Sequence, residues 1–217
     1  MIKKSLLILI SLLILLSCAN KATAPLESEE VLVEKYGIDI SQKDIEIRKQ
    51  IEQKLKAYFE EKGSYALIFT GTPQENYDPD KNVLGRAIAF SVDELGLKNV
   101  TIDIDLRNIN FINGTIVEDI FSFAIISNPG SVFFNYIFPE DKITTIGIYS
   151  FRNNNVIKEV VIPDSVTTLE EGIFYYNSSL EKVTLGKGIK TIGFNAFADC
   201  ELLKEVDTSR CSSLETI

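Results

Sequence analysis

Three groups of residues in this 217-residue chain have the types and spacing that chemistry uses. Asp103 and Asp105 form a D-x-D at a strand end, a spacing suited to a divalent cation, but both fall on the polar phase of an alternating strand and read as solvated carboxylates. Thr70-Gly71-Thr72-Pro73 follows a strand, as phosphate-cradling loops do. It lacks the further glycines and the lysine that such loops need, so it reads as a plain turn. Glu170-Glu171 offers one side of a glycoside-cleaving pair, which needs a second carboxylate across the scissile bond; no such partner is indicated. The chain has no histidine, so no Ser-His or Cys-His nucleophile can be built, and its cysteines have no metal-ligand spacing. The expectation is a non-enzyme, with no catalytic residue, no metal and no cofactor.

Toward its C-terminus the chain repeats every 23 positions. Ile157-Lys158-Glu159-Val160-Val161-Ile162 returns as Leu180-Glu181-Lys182-Val183-Thr184-Leu185, and again as Leu203-Lys204-Glu205-Val206. A fixed period of this size marks units that bury their apolar faces only by stacking on one another. Val160 and Ile162 match Val183 and Leu185 with period two, as a short strand with one buried face requires. Val166 and Leu169 match Ile189 and Ile192, and Phe174 matches Phe197. Pro163-Asp164-Ser165 and Gly186-Lys187-Gly188 are turn clusters. An earlier unit, Phe134 to Asn155, carries Ile143, Ile146 and Phe151 at the right offset, with Pro139 one residue early relative to Pro163. A more distorted unit starts at Leu97. Its Leu106 and Ile109 keep the spacing of Ile189 and Ile192, with extra residues near Ile112-Asn113-Gly114 before Phe121.

Val160 to Leu169 and Val183 to Phe197, with Thr167-Thr168 and Lys190-Thr191-Ile192-Gly193, resemble the BspA-like leucine-rich repeats of bacterial surface proteins. The resemblance covers residues 97–217. It implies a right-handed parallel solenoid, cell-surface display and attachment to proteins, those of a host matrix among them, and it does not imply catalysis.

Repeated apolar positions read as core. The informative positions are those on the strand face, where Tyr136, Phe138 and Val161 are expected side by side, flanked by Glu159, Lys182, Thr184, Glu205 and Asp207. Exposed aromatics on a polar surface are common anchors for a partner.

At the other end, Lys3-Lys4 precede an apolar run from Leu6 to Leu16, the pattern of a secretory signal. The run is shorter than the ~20 apolar residues of a membrane-spanning helix. Leu15-Leu16-Ser17-Cys18 resembles a bacterial lipobox, which implies removal of residues 1–17 and acylation of Cys18. The alternative is cleavage after Ala22-Thr23-Ala24. Loss of Lys3 and Lys4 leaves 20 basic against 31 acidic side chains, a balance that disfavours nucleic acid. Cys200 and Cys211 sit in equivalent turn regions; a disulfide is allowed, and free thiols filling small spaces are the favoured state.

Residues 18–40 are polar and acidic and read as a tether. Ser41-Gln42-Lys43-Asp44 is similar to a capping box, followed at helical spacing by Ile47, Ile51, Leu55, Tyr58 and Phe59, with Gly63 as the stop. Tyr65 to Phe69 reads as a buried strand, and Val83, Leu84, Ala87, Ile88 and Leu95 as a second amphipathic helix closed by Gly96. Strand, helix and parallel strand make a right-handed βαβ unit, so residues 41–96 read as an N-terminal αβα cap on the repeats.

The fold class expected is therefore α/β: a right-handed leucine-rich-repeat solenoid with parallel strands and a small N-terminal cap. The function expected is that of a lipid-anchored protein at the surface of the bacterial outer membrane, binding an extracellular or envelope protein through its strand face. A self-associating envelope protein and a substrate-presenting module of a larger hydrolase are the alternatives.

Overall fold

The computed structural model describes residues 27–78, 80 and 83–216. Residues 1–17, read above as a signal, and Cys18 lie outside the described residues. Of the unit formed by residues 1–32, only residues 27–32 are described, the last four of them being the first residues of helix α1 (Glu29–Tyr36). The sheets, the other helices and the repeats all belong to the second unit, residues 33–217.

Strand β1 (Gly37–Asp39) pairs in parallel with β2 (Tyr65–Gly71), Ile38 lying opposite Phe69. Gly37 to Ile40 thus belong to the folded part, not to the tether read over residues 18–40; Ile38 and Ile40 are fully buried. Between these strands runs helix α2 (Asp44–Lys62), which buries Ile47, Ile51 and Leu55, one turn apart, against the sheet. Gly63 ends it at φ 71°, its N–H bonding to the Phe59 carbonyl. The expected capping box does not form. Lys43 takes the N-cap position without a side-chain bond, while Ser41 donates from both its backbone N–H and its hydroxyl to Asp39 at 2.9 and 2.7 Å. Phe59 is exposed rather than core, stacked on Tyr65 with ring centroids 4.6 Å apart.

Helix α3 (Leu84–Glu94) buries Leu84, Ile88, Ala89 and Val92. At Gly85 the helix comes so close to the repeats that a Cβ would lie 2.3 Å from the Phe121 carbonyl oxygen. The chain then enters β3 (Val100–Ile109), parallel to β2 and paired on its other side with β5 (Val132–Ile137). The first sheet thus has the order β1-β2-β3-β5.

The repeats contribute two further parallel sheets. One is β7 (Glu159–Val161), β9 (Lys182–Thr184) and β11 (Glu205–Asp207), with Val160, Val183 and Val206 in register. The other stacks two-residue strands: β4 (Thr115–Ile116), β6 (Thr145–Ile146), β8 (Thr168–Leu169) and β10 (Thr191–Ile192). Between them lies one continuous core that includes Val160, Ile162, Val166, Leu169, Val183, Leu185 and Ile189. Each such aliphatic contributes about 1.5–3 kcal/mol by leaving water. Phe121, Phe151, Phe174 and Phe197 form a column through it, successive ring centroids 5.3, 5.4 and 6.0 Å apart. The result is mixed α/β with parallel strands in its sheets, consistent with the repeat fold that the resemblance implies.

Two readings of the distorted units are corrected. Leu106 and Ile109 belong to the long strand β3, so the counterpart of Ile146 is Ile116, placed after the 3-10 turn Ile112–Gly114. In the next unit the phase of β5 is the reverse of the one expected. Val132, Phe134 and Tyr136 face inward and Phe138 follows them, with Tyr136 at 7% and Phe138 at 5% exposure. The cause is an added residue after the proline: Pro139 to Ile143 contains one more position than Pro163 to Val166. Counting back from Ile143 with an unbroken period therefore puts the strand one residue out, and a shift of one exchanges its two faces.

Candidate binding surfaces

None of the three groups with chemical potential forms an open catalytic arrangement. Asp105 is not solvated: it is 5% exposed, lies in register between Ile68 and Ile137, and takes a two-pronged ion pair from Arg107 at 3.0 and 2.6 Å. Asp103 accepts from Asn135 at 2.9 Å. Glu170 accepts from the Ile148 N–H and Glu171 from the Tyr149 hydroxyl, each reaching back to the preceding repeat. Gly71 has φ 84°, and a Cβ there would strike the Asp39 carboxylate, so Thr70 to Pro73 serves the packing of β2 against β1. Among the described residues no cluster of three or more His, Cys, Asp or Glu is arranged to hold a metal. The Cys200 and Cys211 thiols are free; burial pushes Cys200 up to about 11, with its Sγ 3.1 Å from the Phe174 carbonyl oxygen.

The strand face keeps Glu159, Val161, Lys182 and Thr184 and loses Tyr136 and Phe138 to the core. Its charges alternate down the stack. Glu159, Lys182 and Glu205 share one row, with Lys182 bonded to Glu205 at 3.0 Å. Beside it run Lys158, Glu181 and Lys204, where Glu181 meets its neighbours at 3.6 and 2.6 Å. The Lys204 ammonium holds the Glu181 carboxyl below its usual range. Exposed pairs of this kind add little stability; their effect is to keep like charges from meeting across neighbouring rungs. Val161, 60% exposed, interrupts this polar pattern. With the phase of β5 reversed, exposed Asn135 and half-buried Ile137 take the outward positions that Tyr136 and Phe138 were expected to hold, with half-buried Phe133 outward beside them.

A second surface is not apparent from the repeat pattern alone. The segments around the phenylalanine column form a third ladder of hydrogen bonds between repeats: Tyr149 N–H to the Glu171 carbonyl, Phe151 to Ile173, Asn153 to Tyr175, then Gly172 to Phe194, Phe174 to Ala196 and Tyr176 to Ala198. Each repeat makes this turn with two residues in the left-handed region. The first position is Asp119, Tyr149, Gly172 and Asn195, and the second is Phe123, Asn153, Tyr176 and Asp199, all with φ between 52° and 58°. Asp, Asn and Gly tolerate that conformation, whereas bulky aromatics are outliers there. Tyr149, Tyr176 and Phe123 are thus held at strained positions, and Tyr149, Tyr175 and Tyr176 form an aromatic row. The Arg152 guanidinium lies over both Phe123 and Tyr149, 5.1 and 4.7 Å from the ring centroids, and is gripped by Asp119 at 2.8 and 3.2 Å. Burial pushes the Asp119 carboxyl upward against the pull of Arg152. Tyr149 approaches Tyr175 at 6.5 Å, and Tyr175 lies 4.3 Å from Tyr176. Hydrogen bonding with Tyr176 raises the Tyr175 hydroxyl to about 12. The signal for this surface was present: in-phase alignment places tyrosines where sister repeats carry Gly or Asn.

No described helix is long and apolar enough to cross a membrane. No curated protein and no solved structure matches the chain. A protein-family comparison does: residues 130–217 match the BspA type leucine rich repeat region, in six copies, a repeat class that suggests protein–protein interaction. Residues 130–217 of this chain are thus similar to BspA-type leucine-rich repeats.

Proposed function

We propose that this chain is a lipid-anchored protein of the bacterial cell envelope whose repeats wind as a right-handed solenoid and bind an extracellular or envelope protein through their strand face. The observation that carries the reading is the in-register stack of BspA-type repeats, which presents Val161 on a rim of paired charges. Apolar centres inside polar rims are where protein partners gain most of their binding energy. A binding role, not a catalytic one, suits a face whose carboxylates are paired with lysines. The basic residues and apolar run before Cys18 support the anchor, since several acyl chains together give stable attachment.

Two measurements test this. Metabolic labelling with an alkyne fatty acid should mark the full chain produced in bacteria and not its Cys18→Ala variant; equal labelling of both removes the anchor. Capture of a surface or matrix protein by the purified chain should be lost with Val161→Asp, whose site is exposed enough to leave folding intact. Unchanged capture by that variant removes the strand face as the binding surface.

A further inference from the structure

We propose that the turn face around Tyr175, Tyr176 and Phe194 is a second docking surface, and that it takes an arginine or lysine side chain from an extended segment of a protein partner. This surface shares with the strand face only the premise that the partner is a protein; its residues are different.

The molecule contains its own precedent. One repeat earlier on the same face, Arg152 rests on the rings of Phe123 and Tyr149 while Asp119 neutralises it. The next repeats also carry aromatic rings on this face, set differently: Asn153 and Gly172 stand where Phe123 and Tyr149 do, Tyr175 stands where Arg152 does, and Tyr176 takes the position of Asn153. Tyr175 and Tyr176 lie ring to ring at 4.3 Å, Asp199 supplies a carboxylate beside Tyr175, and no side-chain cation lies over either ring among the described residues. Phe194, 76% exposed, is the most exposed large apolar residue described, and its carbonyl accepts from Gly172 one rung away. Tyr176 occupies a left-handed backbone position at φ 58° that the preceding repeat fills with Asn153. A bulky ring kept half-exposed at such a position gives the fold little in return. Aromatic faces flanked by acids attract guanidinium and ammonium groups, and the chain's net charge of −9 favours a basic partner.

The test uses the full chain and two peptides, Ac-Gly-Arg-Gly-Arg-Gly-amide and its glutamine counterpart, with tyrosine fluorescence and amide chemical shifts as readouts. The arginine peptide should bind at least fivefold more tightly and shift the Tyr175 and Tyr176 amides. Tyr176→Asn, which installs the sister repeat's residue, should weaken binding about five- to thirtyfold without lowering the melting temperature. Tyr176→Phe should retain binding, and Asp199→Asn should weaken it and flatten its salt dependence. Val161→Asp should leave peptide binding unchanged, which separates this surface from the strand face. Equal affinity for the two peptides would overturn the proposal, as would full binding by Tyr176→Asn or a melting temperature lowered by that change. So would binding of a neutral β-glucan oligosaccharide at these tyrosines in place of the arginine peptide.

Discussion

Tyr136 meets Phe151 edge-on, ring centroids 5.0 Å apart and planes at 81°, inside the column of aromatic rings that joins the first sheet to the repeats. That contact fixes Tyr136 as core. Tyr136→Ala should cost about 3–5 kcal/mol, seen as a large drop in the urea midpoint. Tyr136→Phe should change stability by less than about 1 kcal/mol, because the phenol oxygen makes no well-formed protein hydrogen bond. A silent alanine variant would return this ring to the surface.

Burial also pushes the Tyr136 phenol upward, and that of Tyr77 to about 12. A tyrosine whose folded pKa lies above its unfolded value near 10 contributes stability that is fully present below pH 10 and lost as pH rises toward the folded value. Denaturant titrations should therefore show stability constant from pH 7 to 9 and falling from pH 10 to 12. The fall should be shallower in Tyr136→Phe; an identical slope in that variant would contradict the assignment.

The phenylalanine column predicts a gradient. Phe174 is fully buried between Phe151 and Phe197, so Phe174→Ala should cost about 3–5 kcal/mol. Phe197, only partly buried at the end of the column, should cost less, about 1–3 kcal/mol. Equal costs would mean that the rings do not stack in repeat order.

Charge alternation down the strand face makes a salt-dependent prediction. Glu181→Lys would place three lysines in one row, at 158, 181 and 204. It should lower the melting temperature in dilute buffer, with most of the loss recovered at high ionic strength. A loss insensitive to salt would mean that Glu181 acts through packing.

The sequence disclosed the repeats where two units run in phase, because Val160 and Val183 with their following glycine or proline turns leave only one register. It disclosed both longer helices, one through Ile47, Ile51 and Leu55 and the other through Val83, Leu84, Ala87, Ile88 and Leu95, though that pattern omits the buried Val92. It misplaced Tyr136 and Phe138 because the extra residue after Pro139 reverses the strand phase, and short apolar runs look alike from either side. Asp105 read as solvated because alternation identifies a face without saying what covers it; here Arg107, two residues on, does so. The turn face escaped notice because left-handed positions are marked by small residues in some repeats, while the aromatic exceptions stand in others.

The in-register stacking of residues 160, 183 and 206 is tested most directly by methyl cross-relaxation in a valine-labelled sample. Contacts should link Val160 with Val183 and Val183 with Val206, and none should link Val160 with Val206. A Val183 without a contact to either neighbour would contradict the stacked-repeat account and the two binding faces built on it.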